Sequence, residues 1–283
     1  MTPTNNSPLA AVKALTFDVF GTTVDWRASV VNELQRNIQD KLSGSISAEL
    51  RERLKQLNEQ DTGASEPWTT HFANTWRDSY VDFGHQQARA GQLDSANFKT
   101  TDQHFYDSLV ELLGEWDLAG LFSAYELKSI SLVWHRLVPW PDTVAGLAKL
   151  AAPPLGLVTV TLTNGNTDLI RNLNEFGQLG FQHLFCAEML HAYKPAPDTY
   201  LGAAQKLGLQ PGEVAMVAAH MSDLAAARNV GLRTVYVERE DEEWWDADDE
   251  RLAQAREWVD VWISKDEDGF LELAKQLTKL QGQ

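Results

Sequence analysis

The sequence predicts an α/β protein: a doubly wound parallel sheet interrupted by an inserted helical domain. Three observations carry that expectation. The C-terminal half alternates short β-branched runs with helical patterns of about ten to fifteen residues, which is the pattern of βα units. Between Asp25 and about Trp140, apolar residues instead recur at helical spacing, with no convincing β-run among them. An isolated apolar run, Ala14–Phe17, precedes that helical stretch and reads as the first strand of the sheet.

Taken in order, the ALTF run ends at Asp18 and a Gly-Thr turn. Helices are expected in VVNELQRNIQDKL, AELRERLKQLNEQ, HFANTWRDSYVDF, HFYDSLVELLGEW and AYELKSISLVWHRL, after which the chain returns to the sheet near Pro139–Pro141. Leu157–Thr163 is continuously apolar or Thr and suits a strand covered on both faces. TDLIRNLNEFG is a helix ending at Gly177, and His183–Met189 a short strand. Pro195 and Pro197 then open a helix through Tyr200 to Leu207. Val214–His220 is a strand, SDLAAARNVG a helix with Gly231 past its end, RTVYVER a strand, and Val259–Ser264 the last. The stretch Glu238–Glu250, EREDEEWWDADDE, is too charged to pack and reads as a solvated loop or helix edge. The expected division is a Rossmann-like core of residues 10–26 and 140–283, with 27–139 as the helical insertion.

Composition narrows the function. The chain has 283 residues, and a 43% apolar share allows a sizeable core. A net charge of −16 repels phosphates, so neither nucleic acid nor an anionic membrane is an expected partner. A small anionic substrate remains compatible, because a local Arg and Lys cluster decides that case. Cys186 is the only cysteine, so no internal disulfide forms, and a cytoplasmic setting is expected. The N-terminal MTPTNNSPLAAVK lacks the apolar centre of a signal peptide. No apolar run approaches the ~20 residues needed to span a bilayer. The sequence leaves a homodimer open.

In a parallel sheet, ligands bind beyond the carboxyl ends of the strands. The polar residues there are Asp18, Thr163-Asn164-Gly165-Asn166, Lys194 just before Pro195, and His220-Met221-Ser222-Asp223. An acid, a hydroxyl–amide pair, a lysine and a second acid converge on one crevice. A buried carboxylate can attack carbon or phosphorus if a cation keeps it ionised. An ammonium within ~4 Å contributes about 4 kcal/mol at an effective dielectric near 20, and Lys194 is the candidate partner. The backbone N–H groups after Phe20 and around Asn164 are candidates to hold an anion.

That order of residues resembles the haloacid dehalogenase superfamily, whose four signature positions match Asp18, Thr163, Lys194 and Asp223. The closer resemblance is to its type II haloacid dehalogenase family, carried by FDVFGT, LTNGN and YKPAPDTY, the last with Tyr200 six residues after the Lys. TWRDSY resembles the family's Trp-Arg segment in the helical cap and puts Arg77 at the halide-binding position. The resemblance implies hydrolytic dehalogenation of short 2-haloalkanoic acids without a cofactor. Asp18 is then the nucleophile, and Phe20, Thr22, Arg77, Thr163, Asn164 and Tyr200 bind the substrate. Asp223, His220 or both activate water. Phosphatases of the superfamily carry a second acid two residues after the nucleophile to protonate the leaving alcohol. Phe20 cannot do that, and a halide needs no proton. Three alternatives stay open: a Mg-dependent phosphatase, with Asp223 helping to hold the metal, a hydrolase opening a strained cyclic α-amino acid, and a non-catalytic binding protein that retains the fold.

The sequence also departs from the family pattern. Many members carry Ser and Asn where this chain has Ala218 and His220. The cap is longer than usual, which predicts an entrance reshaped by extra helices. Arg77 has a second reading as an ion-pair partner of Asp78 or Asp82. The ten tryptophans are expected mostly in packing, with one or two lining the pocket.

Overall fold

The computed structural model describes residues 8–60, 66–90, 99–246 and 248–281. Met1–Ser7, the start of the polar N-terminal stretch, and Ala247 of the acidic stretch lie outside the described residues. Six parallel strands form the sheet: β1 (Ala14–Phe17), β4 (Val158–Thr163), β5 (His183–Cys186), β6 (Val214–Ala218), β7 (Arg233–Val237) and β8 (Val261–Ile263), in the order β5-β4-β1-β6-β7-β8. The chain runs outward from β1 in both directions, so the crevice of a doubly wound sheet opens at the ends of β1, β4 and β6.

Helices cover both faces because strand side chains alternate with a period of two. On one face Leu15, Phe17, Ala215, Val217 and Ile263 pack against α6 (Thr143–Ala151) and α12 (Gly269–Gln281) through Leu147, Leu150, Phe270 and Leu273. On the other, Val160, Leu162, Met216 and Ala218 meet α9 (Pro197–Leu207) and α10 (Met221–Asn229). The expected α/β fold class therefore holds. Helix α7 (Thr167–Phe176) and α11 (Glu250–Trp258) complete the βα units.

The helices that follow the first strand form a cap: α1 (Trp26–Ser43), α2 (Ala48–Gln60), α3 (Trp68–Ala90), α4 (Thr101–Glu115) and α5 (Ala124–Ser131), with a 3₁₀ turn at Leu132–His135. Its centre is aromatic. Phe105 stacks on Trp134 at 4.1 Å between ring centroids, and Trp76 meets Trp134 edge-on at 5.4 Å. Phe20, from the turn after β1, inserts among Tyr80, Phe105 and Trp134.

Three details depart from the sequence reading. A two-stranded antiparallel ribbon of β2 (Val24–Asp25) and β3 (Val138–Pro139) pairs the two passages between sheet and cap. The strand expected over His183–Met189 stops at Cys186, where a single helical turn, α8 (Ala187–Leu190), begins. The acidic stretch is not wholly solvated either: Glu242 is 3% exposed and packs at the carboxyl ends of the strands. Among the described residues no helix is long and apolar enough to cross a membrane.

Candidate active site

Asp18 sits one residue past β1, held by its own backbone: its N–H donates to Val217 O at 3.0 Å, and Thr23 Oγ1 donates to its carbonyl at 2.6 Å. Its carboxylate is ringed by donors. Lys194 Nζ lies 2.6 Å from Oδ1, and Thr22 Oγ1 donates to Oδ2 at 2.7 Å. His220 Nδ1 is 3.1 Å from the same Oδ2. Thr22 is itself fixed, accepting the Ala219 N–H at 2.9 Å. Burial acts against the charge of Asp18, but the Lys194 ammonium and His220 outweigh it and hold the acid well below the usual carboxylate range.

Lys194 is shared between two acids. Its Nζ is also 2.6 Å from Asp223 Oδ2, while Tyr200 OH donates to Asp223 Oδ1 at 2.5 Å. Burial pushes the ammonium toward the neutral form, and the two carboxylates reverse this and raise its pKa. Asp223 moves the other way from Asp18: burial raises it, Lys194 lowers it and the charge of Asp18 raises it again. Two carboxylates on one cation thus split, Asp18 ionised most readily, Asp223 less so. Asn164 sets the lysine backbone. Its Nδ2 donates to Lys194 O at 3.0 Å, and its Oδ1 accepts the Lys194 N–H at 2.6 Å.

Above this cluster lies a small cavity of about 80 Å³, lined by Asp18, Lys194 and His220 from the core side and by Arg77 and Tyr80 from α3. Arg77 is 6% exposed, and its guanidinium sits 4.9 Å from the Tyr80 ring centroid and 5.7 Å from that of Trp244. Its Nε and Nη1 have no hydrogen-bond partner among the described residues. Asp78 and Asp82 are exposed on α3, so the surface ion-pair reading of Arg77 does not hold. A buried cation with idle donors beside a cavity is a place for an anion.

The geometry agrees with an independent comparison: the sequence profile of the haloacid dehalogenase-like hydrolases matches residues 12–231. The chain belongs to this family. Among solved haloacid dehalogenase-like hydrolases, an L-2-haloacid dehalogenase is 33% identical, with a TM-score of 0.73 over 95% of this chain and 99% of that one. A defluorinating L-2-haloacid dehalogenase is 29% identical, with a TM-score of 0.72 over 94% and 95%. A curated (S)-2-haloacid dehalogenase from Burkholderia cepacia is 26% identical over 81% of this chain and 84% of its own. The resemblance to the type II haloacid dehalogenases is therefore borne out.

Several expected roles change when this haloacid dehalogenase-like hydrolase is seen in three dimensions. Thr163 is 1% exposed and lies behind the cavity lining: its Oγ1 accepts the Gly165 N–H at 3.3 Å and is hydrogen-bonded to Tyr80, which does line it. Phe20 does not line it either; it backs Tyr80, which does. The Gly21 and Gly165 N–H groups, among those expected to hold an anion, are taken by Val24 O and by Thr163. Among the described residues, the cap residues lining the cavity, Arg77, Tyr80, Val81 and His85, all come from α3. The sequence makes His220 a candidate base near neutral pH. Burial lowers its pKa, but the hydrogen bonds its ring N–H groups donate to Asp18 and Glu242 raise it to about 9, so the resting ring is a cation. Among the described residues no cluster of three His, Cys, Asp or Glu side chains is arranged to hold a metal ion.

Glu242 and Trp244 escaped sequence reasoning. Glu242 Oε2 lies 3.3 Å from His220 Nε2, and Trp244 stacks on the His220 ring at 4.9 Å. The available signal was the pair Trp244-Trp245 inside an acidic run, since large apolar rings are costly to leave in water.

Proposed function

We propose that this protein hydrolyses short 2-haloalkanoic acids through an aspartyl ester, giving 2-hydroxy acids and halide. One observation carries the reading: an acid kept ionised at a strand end shares a small cavity with a buried guanidinium whose Nε and Nη1 have no hydrogen-bond partner among the described residues. At 2.6 Å the Lys194–Asp18 attraction is worth about 6 kcal/mol at an effective dielectric near 20, enough to offset much of the burial cost. Asp18 attacks the α-carbon in line, a carbon–oxygen bond forms, and the halide leaves with the electron pair toward Arg77. Asn164 and Lys194 on the same wall offer donors to the substrate carboxylate. Attack from the side opposite the halide inverts the carbon, and water then cleaves the ester and returns Asp18 as a carboxylate. Phe20 in place of a second acid suits a leaving group that needs no proton. Lys194 Nζ, within 2.6 Å of both acids, supplies the positive charge between them, so the reading needs no metal ion. A cavity of about 80 Å³ with aromatic walls suits acids of few carbons.

The test is halide release from chloro-, bromo- and fluoroacetate and from both enantiomers of 2-chloropropionate, with and without a chelator, beside a phosphate monoester. Halide release that survives chelation is expected. Hydrolysis of the phosphate ester alone, lost on chelation, would overturn the proposal in favour of the phosphatase alternative.

A further inference from the structure

The buried acid that this chemistry leaves unused is Glu242. Three adjacent residues of the acidic stretch close over the strand ends. Glu242 meets His220 Nε2 at 3.3 Å, and Glu243 accepts the Met221 N–H at 2.7 Å at the start of α10. Trp244 lies on the His220 ring and reaches the cavity. The turn opposite is built to admit the acid: Gly21 has φ +83°, and a Cβ there would overlap the Glu242 carboxylate. His220 is thereby gripped from two sides, with Nε2 on Glu242 and Nδ1 3.1 Å from Asp18 Oδ2. This is the order acid, imidazole, reacting group that orients a general base.

Resting on the aspartyl-ester reading above, we infer that Glu242 is a positioning residue for the second half-reaction: it fixes His220 with Nε2–H on its carboxylate, leaving Nδ1 aimed at the ester for water activation. In the resting enzyme the imidazolium pairs with Asp18. Once Asp18 is an ester its charge is gone, burial favours the neutral ring, and the Nδ1 proton leaves to solvent. Glu242 holds the remaining proton on Nε2. Water then attacks the Asp18 carboxyl carbon while Nδ1 takes its proton. The tetrahedral intermediate expels the alkoxide of the hydroxy acid, which takes that proton back, and the carboxylic acid left on Asp18 returns its own proton to His220. One water is consumed, and one halide and one proton are released.

Rapid-quench kinetics with chloroacetate separate the two half-reactions. In Glu242→Gln the first chloride, one per active site, should be released about as fast as in wild type. Steady-state turnover should fall about 10²-fold, the scale of general-base catalysis, and an ester should build up on the peptide carrying Asp18, visible by mass spectrometry. Glu242→Asp, which keeps the charge, should recover part of the rate. On a His220→Asn background the Gln change should cost nothing more. Unchanged turnover in Glu242→Gln, a burst and steady state that fall together, or an undiminished loss on the His220→Asn background would each overturn the inference. Failure of wild type to release halide would instead remove the reading on which it rests.

Discussion

Raising the pH from about 6 to about 9.5 is expected to remove about 3 kcal/mol of stability from this protein through His220 alone. The ring is buried, 7% exposed at its side chain, and bridges Asp18 at 3.1 Å and Glu242 at 3.3 Å. Its pKa rises from 6.5 to about 9, and each unit corresponds to about 1.4 kcal/mol of preference for the charged form. A folded-state pKa above the unfolded one means that the folded chain holds the proton more tightly. The contribution is therefore complete below about pH 6.5 and is lost as the pH rises through about 9. Within the site Asp18 stays ionised throughout this window and the ammonium of Lys194 titrates above it; the buried thiol of Cys186, also pushed up, is common to wild type and the His220 variant and cancels in their difference. His104 acts elsewhere and with the opposite sign. Burial and Lys99 lower its pKa to about 4, so its contribution is lost as the pH falls below 6.5. The assay is urea unfolding at half-unit intervals of pH for wild type and His220→Asn, compared as a difference in unfolding free energy. The difference should shrink by about 3 kcal/mol across the window. Parallel curves from pH 6.5 to 9.5 would refute the charged bridge.

Asp18→Asn should lower kcat by a factor on the order of 10³ or more, and a single turnover of the wild-type enzyme in oxygen-labelled water should put label into the Asp18 carboxylate. Thr22→Val removes a 2.7 Å hydrogen bond to a charged acceptor, worth about 1.5–3 kcal/mol, so kcat/KM should fall roughly 10- to 100-fold in halide-release assays. Phe20→Ala should cost about 3–5 kcal/mol in urea unfolding, because the ring is 1% exposed among Tyr80, Phe105 and Trp134. Arg77→Gln keeps much of the side-chain volume and loses the charge; KM for chloroacetate should rise and chloride should weaken as a product inhibitor.

The sheet was legible because its strands are buried on both faces and so read as unbroken apolar runs, as in VAMVA, while the helices between them keep a polar side. The core of the site was legible for a related reason. Asp18 follows an apolar strand directly, Lys194 lies just before the Pro-opened helix α9, and Asp223 is in the first turn of α10, and a polar residue at the strand ends has little structural cause. What distance alone decides stayed hidden. Thr163 looks like a ligand-facing hydroxyl, but it accepts the Gly165 N–H and bonds Tyr80 behind the cavity wall. The ribbon β2–β3 has two residues per strand, too few to show a period. The acidic stretch misled because composition averages over it: Glu240 is exposed, whereas Glu242, two residues on, is buried against His220. Charge density describes a segment, and burial belongs to individual side chains.

The insertion of Phe20 into the cap has a bearing on how such proteins can be recombined. The two chain crossings run side by side as β2 and β3, so cutting the whole helical insertion out and rejoining the ends would span only a short gap. Yet the turn bearing Asp18 would then carry a naked phenyl group with nothing to receive it. A transplanted lid must therefore bring its own socket for that ring, and a chimera lacking one is expected to lose the shape of the turn along with the lid.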